Sequence, residues 1–385
     1  MVASPAGRLA AWYFWYFAFI GAFLPYFALY LQSIGMSAGR IAVLMSHGQL
    51  MRLVAPLLWS WLADSGGQRV RIVVASTAAA CLAFVAVFLT EDFLGLLVGL
   101  AILHFFWSAS LPLVEALTLG HLAGRTEHYG RIRLWGSVGF IAAVLGVGLL
   151  LDVAPIRSQL WVSWMLLAGT LVSALTLSEV AGHGSQPAGP IAEVLRQPRV
   201  RHLMGAALLM TAAHGTLYVF YSIHLVAAGY GKSLVGLLWT LGVVAEIVVF
   251  LLMPRLSLRF SLRTLLLACF ALAVLRFALI GWAVAWLAVL VFAQLLHAAS
   301  FGAHHAATVA ALNHWFAPGQ QARAQALYGS IAYGAGGLGG ALLAGWMWEP
   351  LGAGLSFGAS AVLALAGLPL VWRGVPAESP QAPVR

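Results

Sequence analysis

SEVAGHGSQPAGPIAEVLRQPRVR, residues 178–201, is the longest break in hydrophobicity in a chain that otherwise avoids polar residues. Gly, Pro, Ser and Gln crowd its first half, the composition of a flexible linker. Of the 385 residues, 62% are hydrophobic and 8% are charged, and the mean hydropathy is +0.94. A soluble chain carries about 25% charged residues, and one core could not bury this much apolar surface. Much of it therefore faces lipid. Apolar runs of about 20 residues recur from end to end, each long enough to cross a bilayer as a helix.

Dividing the chain at its loops gives twelve spans, near 10–34, 38–62, 70–90, 94–119, 131–151, 158–178, 200–226, 233–254, 263–282, 284–311, 323–347 and 352–372. Six lie on each side of the opening stretch. The expected organisation is an all-α membrane protein of twelve transmembrane helices in two six-helix halves, 1–178 and 200–375. A cytoplasmic linker, 179–199, joins them, and a cytoplasmic tail, 376–385, follows. The N-terminal run is too long and too aromatic for a signal peptide and reads as the first span. Cys81 and Cys269 each sit inside an apolar run without a partner at motif spacing, so packing is their expected role.

Net charge is +9, and its placement is a topology signal. Fifteen Lys and Arg fall on the side that holds both termini, and three, Arg40, Arg157 and Lys232, on the other. That bias puts both termini in the cytoplasm of a multi-pass protein of the cytoplasmic (inner) membrane. It also accounts for the basic excess without nucleic acid as a partner.

Two six-helix halves joined by a linker is a plan of membrane transporters, which hold substrate between the halves near mid-membrane. SWLADSGGQRVR, residues 60–71, resembles the loop signature of the major facilitator superfamily through Asp64, Gly67 and Arg69. Ser60, Ser65 and Gln68 depart from it, and the matching loop of the second half, PRLSLRFSLR at 254–263, lacks the aspartate. Gly334, Gly336 and Gly339 spell GxGxxG, but inside an apolar run. They read as close helix–helix approach through small residues, not as a dinucleotide site, which needs a strand before it.

Of the 31 formal charges (20 Lys and Arg, 11 Asp and Glu), all but Arg52, Glu115, Glu246 and Arg276 fall in loops or near span ends. Each of these four costs about 2.5–3.5 kcal/mol at a helix centre, so each is expected to face a bundle interior or a watery path with a partner. At 1.5 Å per residue, Glu246 lies about 18 Å from the outer end of its span, His297 at a similar depth and Arg276 about 10 Å down, within reach of an arginine side chain. Glu115 is level with Arg133, and the two are expected to pair.

Helical spacing groups further polar residues into stripes: His104, Ser108, Leu111 and Glu115; Gln49 and Arg52; His214, Tyr218 and Tyr221; Trp239, Gly242 and Glu246; Gln294, His297, Phe301 and His304. From these, Arg52, Glu115, Arg133, His214, Tyr218, Trp239 and His304 are candidates to contact substrate. Arg52 alternatively ties helices together, and His47 and His104 read as structural hydrogen-bond donors. Trp12, Tyr13 and Trp15 read as an interfacial aromatic belt. Burial raises the proton affinity of a carboxylate and a nearby arginine lowers it, so Glu246 is poised to take up a proton when its partner moves. A neighbouring histidine can relay that proton, and an arginine can hold a carboxylate with two parallel hydrogen bonds.

ASLPLVEALTL (109–119), YGRIRLWGSVGF (129–140), AAGYGKSLVGLLWTLGVVAEIVVF (227–250) and the LLH of the tenth span resemble the phenylpropionate permease family. It is a branch of the major facilitator superfamily close to the proton-coupled sugar and nucleoside symporters. The resemblance implies a twelve-helix facilitator fold with alternating access and proton symport of a small aromatic carboxylate. It also implies that Glu246, Arg276 and His297 take the proton-coupling roles that an acid on span 8, an arginine on span 9 and a His/Glu pair on span 10 hold in the sugar symporters. Here no acid follows His297; His304 and His305 stand instead. Glu115 and Arg133 resemble the acid–arginine pair that borders substrate.

Two other transport readings stay open: symport of a neutral sugar or nucleoside, and proton-antiport export of amphipathic compounds. An enzyme is not expected, since HExxH, repeated histidine boxes and a nucleophile elbow are all missing from the sequence. The HH at 304–305 is too little for a metal site. The expected partners are a small-molecule substrate, protons and the bilayer, for a monomer with no cofactor.

Overall fold

The structure, a computed structural model, describes residues 4–66, 68–122, 128–180 and 196–377. Gly67, the side chain of Asp64, the linker over 181–195 and the tail from 378 lie outside the described residues. The described chain is helical throughout. Its spans are α1 (Pro5–Ser33), α3 (Arg69–Leu89), α4 (Phe93–Leu122), α5 (Tyr129–Val153), α7 (Pro198–Ala227), α8 (Lys232–Arg259), α9 (Leu262–Trp282) and α10 (Leu287–Trp315). Between them fall α2, which is Ala38–Met45 and His47–Gly66 interrupted at Ser46, and the 17-residue α6, Ser158–Ala174. After α10 the helix runs from Pro318 to Gly374 but breaks at Gly352, whose φ of 79° suits only glycine. The break separates α11 (318–351) from α12 (353–374), completing the twelve-helix fold.

Local chemistry sets where these helices start. Ser4 accepts the Gly7 N–H at 3.2 Å with Pro5 opening α1, and Ser261 accepts the Thr264 N–H at 3.2 Å to open α9. Ahead of α4, Asp92 accepts the Gly95 N–H and the Thr90 hydroxyl, bonds that hold its carboxyl below the usual carboxylate range. The helices also run further than hydropathy indicates. Seven residues of the loop signature close α2 and three open α3, and α8 continues through Pro254 to Arg259.

Two compact units emerge, one of Met1–Gly184 with Gly229–Leu237, the other of Ser185–Ala228 with Leu238–Arg385. Residues 229–237 group with the first unit because Asp152, at the end of α5, accepts the Lys232 N–H at 2.7 Å, and because the Tyr26 hydroxyl reaches Val144 O at 2.7 Å and Lys232 O at 3.4 Å. Glu179, where the linker was expected to begin, is also fixed: its carboxylate accepts the Val70 N–H at 2.6 Å.

The units share a packing device. In the first, α1 lies on α5 so tightly that a Cβ on Gly139 would stand 2.1 Å from Phe14 O, and one on Gly21 2.5 Å from Phe140 O. In the second, α7 lies on α11 in the same way: a Cβ on Gly340 would stand 2.1 Å from Ala212 O, and one on Gly215 2.2 Å from Gly340 C. Backbone-to-backbone contact of this kind is how membrane helices gain van der Waals attraction. Gly336 of the GxGxxG run joins this contact, 2.5 Å from Leu208 O, whereas Gly339 has open space around it.

Candidate functional site

Arg276 on α9 is fully buried, 0% exposed, and its guanidinium defines a polar centre inside the second unit. Its Nε donates to Ala293 O at 3.1 Å, Nη1 to Ser300 Oγ at 3.1 Å and His214 Nε2 at 3.2 Å, and Nη2 to Gln294 Oε1 at 3.2 Å. The His214 tautomer follows, because Nδ1 lies 2.8 Å from Met210 O and must carry the hydrogen. Nε2 is left as the acceptor that the arginine needs. Every hydrogen bond of Arg276 thus ends on an uncharged group. The reach to Glu246 expected from depth is not what these bonds show. The side chain turns toward α10, where Ala293 and Gln294 close one helical segment at Leu295 and a wider π-helical turn, Ala298–Ala303, follows.

Glu246 meets His297 instead. His297 Nε2 lies 3.8 Å from Glu246 Oε2, with side chains 11% and 21% exposed. Glycines make this approach possible. A Cβ on Gly302 would stand 2.8 Å from Val249 Cγ1 and 3.1 Å from Glu246 Cγ, and one on Gly242 would stand 3.2 Å from His297 Cδ2. His297 Nδ1 is buried without a hydrogen-bond partner among the described residues. The histidine is therefore not locked into one tautomer as His214 is.

Aromatic rings wall this centre. His214 stacks on Tyr218 at 5.9 Å and meets His297 at 6.1 Å and Phe301 at 6.1 Å. Tyr218 stacks on Trp239 at 6.2 Å, and the indole donates to Ser222 Oγ at 3.2 Å. His304, 3% exposed, lines a cavity with His214, Tyr218 and Phe301. Seven sequence candidates, His214, Tyr218, Trp239, Glu246, Arg276, His297 and His304, are thus gathered in one unit. One contributor, and the pairing of another, escaped sequence reading. Ser300 binds Arg276, and the only signal was its position one turn after His297. His305 lies 3.1 and 3.0 Å from the hydroxyls of Tyr328 and Tyr333, a pairing across helices that spacing cannot reveal.

The first unit holds the remaining candidates differently from expectation. Glu115 accepts from the Tyr129 hydroxyl at 3.4 Å. Arg133 does not close an ion pair with it but lies over the Phe17 ring at 3.9 Å. Gly136, one turn on, leaves room for that fold-back, since a Cβ there would meet Arg133 Nη1 at 2.8 Å. Arg52 is exposed. Trp12 and Tyr13 are not an interfacial belt: both are 0% exposed. Trp12 stacks on Tyr16 at 4.7 Å, Tyr16 on Trp107 at 4.1 Å, and the Tyr13 hydroxyl bonds Thr118 at 3.2 Å. Close α1–α5 packing draws these rings inward. His47 and His104 do act as backbone donors, with Nδ1 2.9 Å from Leu44 O and from Leu100 O. Arg69 opens α3.

The model of the MFS_1-like family matches residues 7–359. The chain belongs to that family. A probable 3-phenylpropionic acid transporter of Escherichia coli (strain K12) is 30% identical over 97% of this chain and 98% of its own length. A maltose permease of Geobacillus stearothermophilus is 36% identical over 36% of each chain. Among solved structures, the nucleoside transporter NupG superposes with a TM-score of 0.83 at 16% identity, over 96% of this chain and 98% of that one. The facilitator fold and the resemblance to the phenylpropionate permeases are thereby borne out. As a member of the superfamily the chain is a multi-pass membrane transporter of the secondary type, not an enzyme.

Proposed function

We propose that this transporter carries a small aromatic carboxylate together with a proton across the cytoplasmic membrane, as a monomer with both termini in the cytoplasm. The observation that carries the reading is the pairing of Glu246 with His297 beside an arginine whose hydrogen bonds all end on uncharged acceptors. Such an arginine has its full charge to offer an incoming carboxylate, which can displace His214 or Gln294 as acceptor. The aromatic wall of Tyr218, Trp239 and Phe301 suits the body of an aromatic acid, and the phenylpropionic acid relative belongs to the same chemical class.

Coupling follows from the cost of carrying uncompensated charge through a low-dielectric site, several kcal/mol per ion. With Glu246 ionised and no substrate, Arg276 and Glu246 balance. With substrate bound and Glu246 protonated, Arg276 and the carboxylate balance. Substrate alone or proton alone leaves a net charge of one, and those species are slow to cross. The cycle therefore moves one proton with one anion. In the first unit, Glu115, Arg133 and Arg52 are assigned to bordering the substrate, and Asp64, Gly67 and Arg69 to the conformational change.

Proteoliposomes with an imposed pH gradient and labelled 3-phenylpropionate test the reading. It predicts accumulation above equilibrium that collapses with a protonophore. Uptake that ignores the gradient, or gradient-driven uptake of maltose or uridine but not of the acid, overturns it.

A further inference from the structure

Among the buried histidines of the second unit, His297 and His304 each keep a ring nitrogen without a hydrogen-bond partner among the described residues. His214 uses both ring nitrogens, His224 bonds Ile280 O at 3.0 Å, and His305 is held by two tyrosine hydroxyls. His297 faces Glu246. His304 Nε2, on a side chain as buried as theirs, has no hydrogen-bond partner among the described residues. Buried polar atoms are nearly always paired, and one that is not calls for a missing partner. Phe270 packs edge-on against the ring at 5.4 Å and 90°.

The missing partner has a place to sit. His304 borders a narrow cavity with Thr211, His214, Tyr218, Phe301 and Tyr333, whose free space suits a single hydroxyl or water. Other polar atoms around it are already engaged: Thr211 Oγ1 donates to Ala207 O at 3.0 Å, and the Tyr333 hydroxyl lies 3.0 Å from His305. The cavity is also joined to the arginine: His214 and Ser300, which line it, both accept from the Arg276 guanidinium.

We infer that His304 is a specificity-determining residue, and that the acid carried has a hydroxyl on its aromatic ring that hydrogen-bonds His304 in this cavity. The inference rests on the aromatic-carboxylate reading above and narrows it. The carboxylate lies toward Arg276, the ring lies against Phe301 and Tyr218, and the hydroxyl ends at His304. A site shaped to bond a substrate hydroxyl discriminates strongly against the analogue that lacks it, because its own polar group then stays unpaired.

The test compares uptake of 3-phenylpropionate, 3-(3-hydroxyphenyl)propionate, 3-(4-hydroxyphenyl)propionate and the methyl ethers of both phenols in proteoliposomes of the wild type, His304→Leu and His304→Gln. In the wild type one hydroxylated acid is expected to exceed the unsubstituted acid in kcat/KM by about tenfold or more. His304→Leu is expected to erase that preference while still carrying the unsubstituted acid, and His304→Gln to keep part of it. Equal use of hydroxylated and unsubstituted acids by the wild type means a resident water only and overturns the inference. So does the same preference in His304→Leu. Should the leucine variant fail to fold, the wild-type panel and His304→Gln decide alone. Uptake of none of the acids by the wild type is a different result, and it removes the aromatic-carboxylate reading itself.

Discussion

His297 Nε2 lies 3.8 Å from Glu246 Oε2, close enough for charge to act but too far for a hydrogen bond. His297 keeps its Nδ1 without a hydrogen-bond partner among the described residues, so the ring can adopt either tautomer, as the proton exchange proposed for this pair requires.

Glu246→Gln removes the exchangeable proton and preserves shape. Substrate accumulation driven by a pH gradient is expected to fall to the equilibrium ratio, while exchange of labelled for unlabelled substrate persists. Paired accumulation and counterflow measurements check this; normal accumulation by the variant would remove Glu246 from the proton path.

One proton with one anion carries no net charge. A potassium diffusion potential of 100 mV, imposed with valinomycin, is expected to leave the steady-state substrate ratio unchanged. A cycle moving one net charge would shift it by about 2.3 kcal/mol, or roughly 50-fold.

Arg276→Lys keeps the charge but replaces a planar fork reaching four acceptors with a point charge. The preference for acid over methyl ester is expected to drop by at least about tenfold, with much of the protein still folded. Competition binding of the two compounds reads the ratio directly, and an unchanged ratio in both the Lys and Ala variants would put the carboxylate elsewhere.

Ser300 has the two-way test. Ser300→Ala deletes one bond to the buried guanidinium and is expected to lower stability by about 1.5–3 kcal/mol, measured by thermal unfolding in detergent. Ser300→Asp supplies Arg276 with an anion of its own, so affinity for the acid should fall while affinity for the ester holds. Equal effects on acid and ester would show that the arginine does not sense substrate charge.

Gly302→Ala puts a Cβ 2.8 Å from Val249 Cγ1 and 3.1 Å from Glu246 Cγ. Overpacking of this kind costs about 1–3 kcal/mol and should push α10 off α8, separating Glu246 from His297. Weaker coupling, seen as fewer protons taken up per substrate, is expected to accompany the lower melting temperature; full coupling would mean that the spacing of the pair is unimportant.

The deep charges were legible in the sequence because a membrane makes charge conspicuous: Glu246 and Arg276 stand out in runs with nothing polar nearby. Partner choice was not. Depth along separate helices put Arg276 within reach of Glu246 and Glu115 level with Arg133. The structure turns the first arginine to four uncharged acceptors and the second onto Phe17. Depth is one coordinate of three, and rotation about the helix axis is the one that spacing leaves open. The belt reading of Trp12 and Tyr13 failed for the same reason.

What the sequence by itself determined is the solvent, the number of spans and their division into halves, since apolar length and charge placement are one-dimensional quantities that the bilayer reads directly. Tertiary structure alone decided that Glu246 faces His297, that Ser300 accepts from Arg276, and that His304 keeps an unanswered nitrogen. Those outcomes depend on glycines that let backbones touch and on a π-helical turn that re-aims α10, and both act through contacts between residues far apart in the chain.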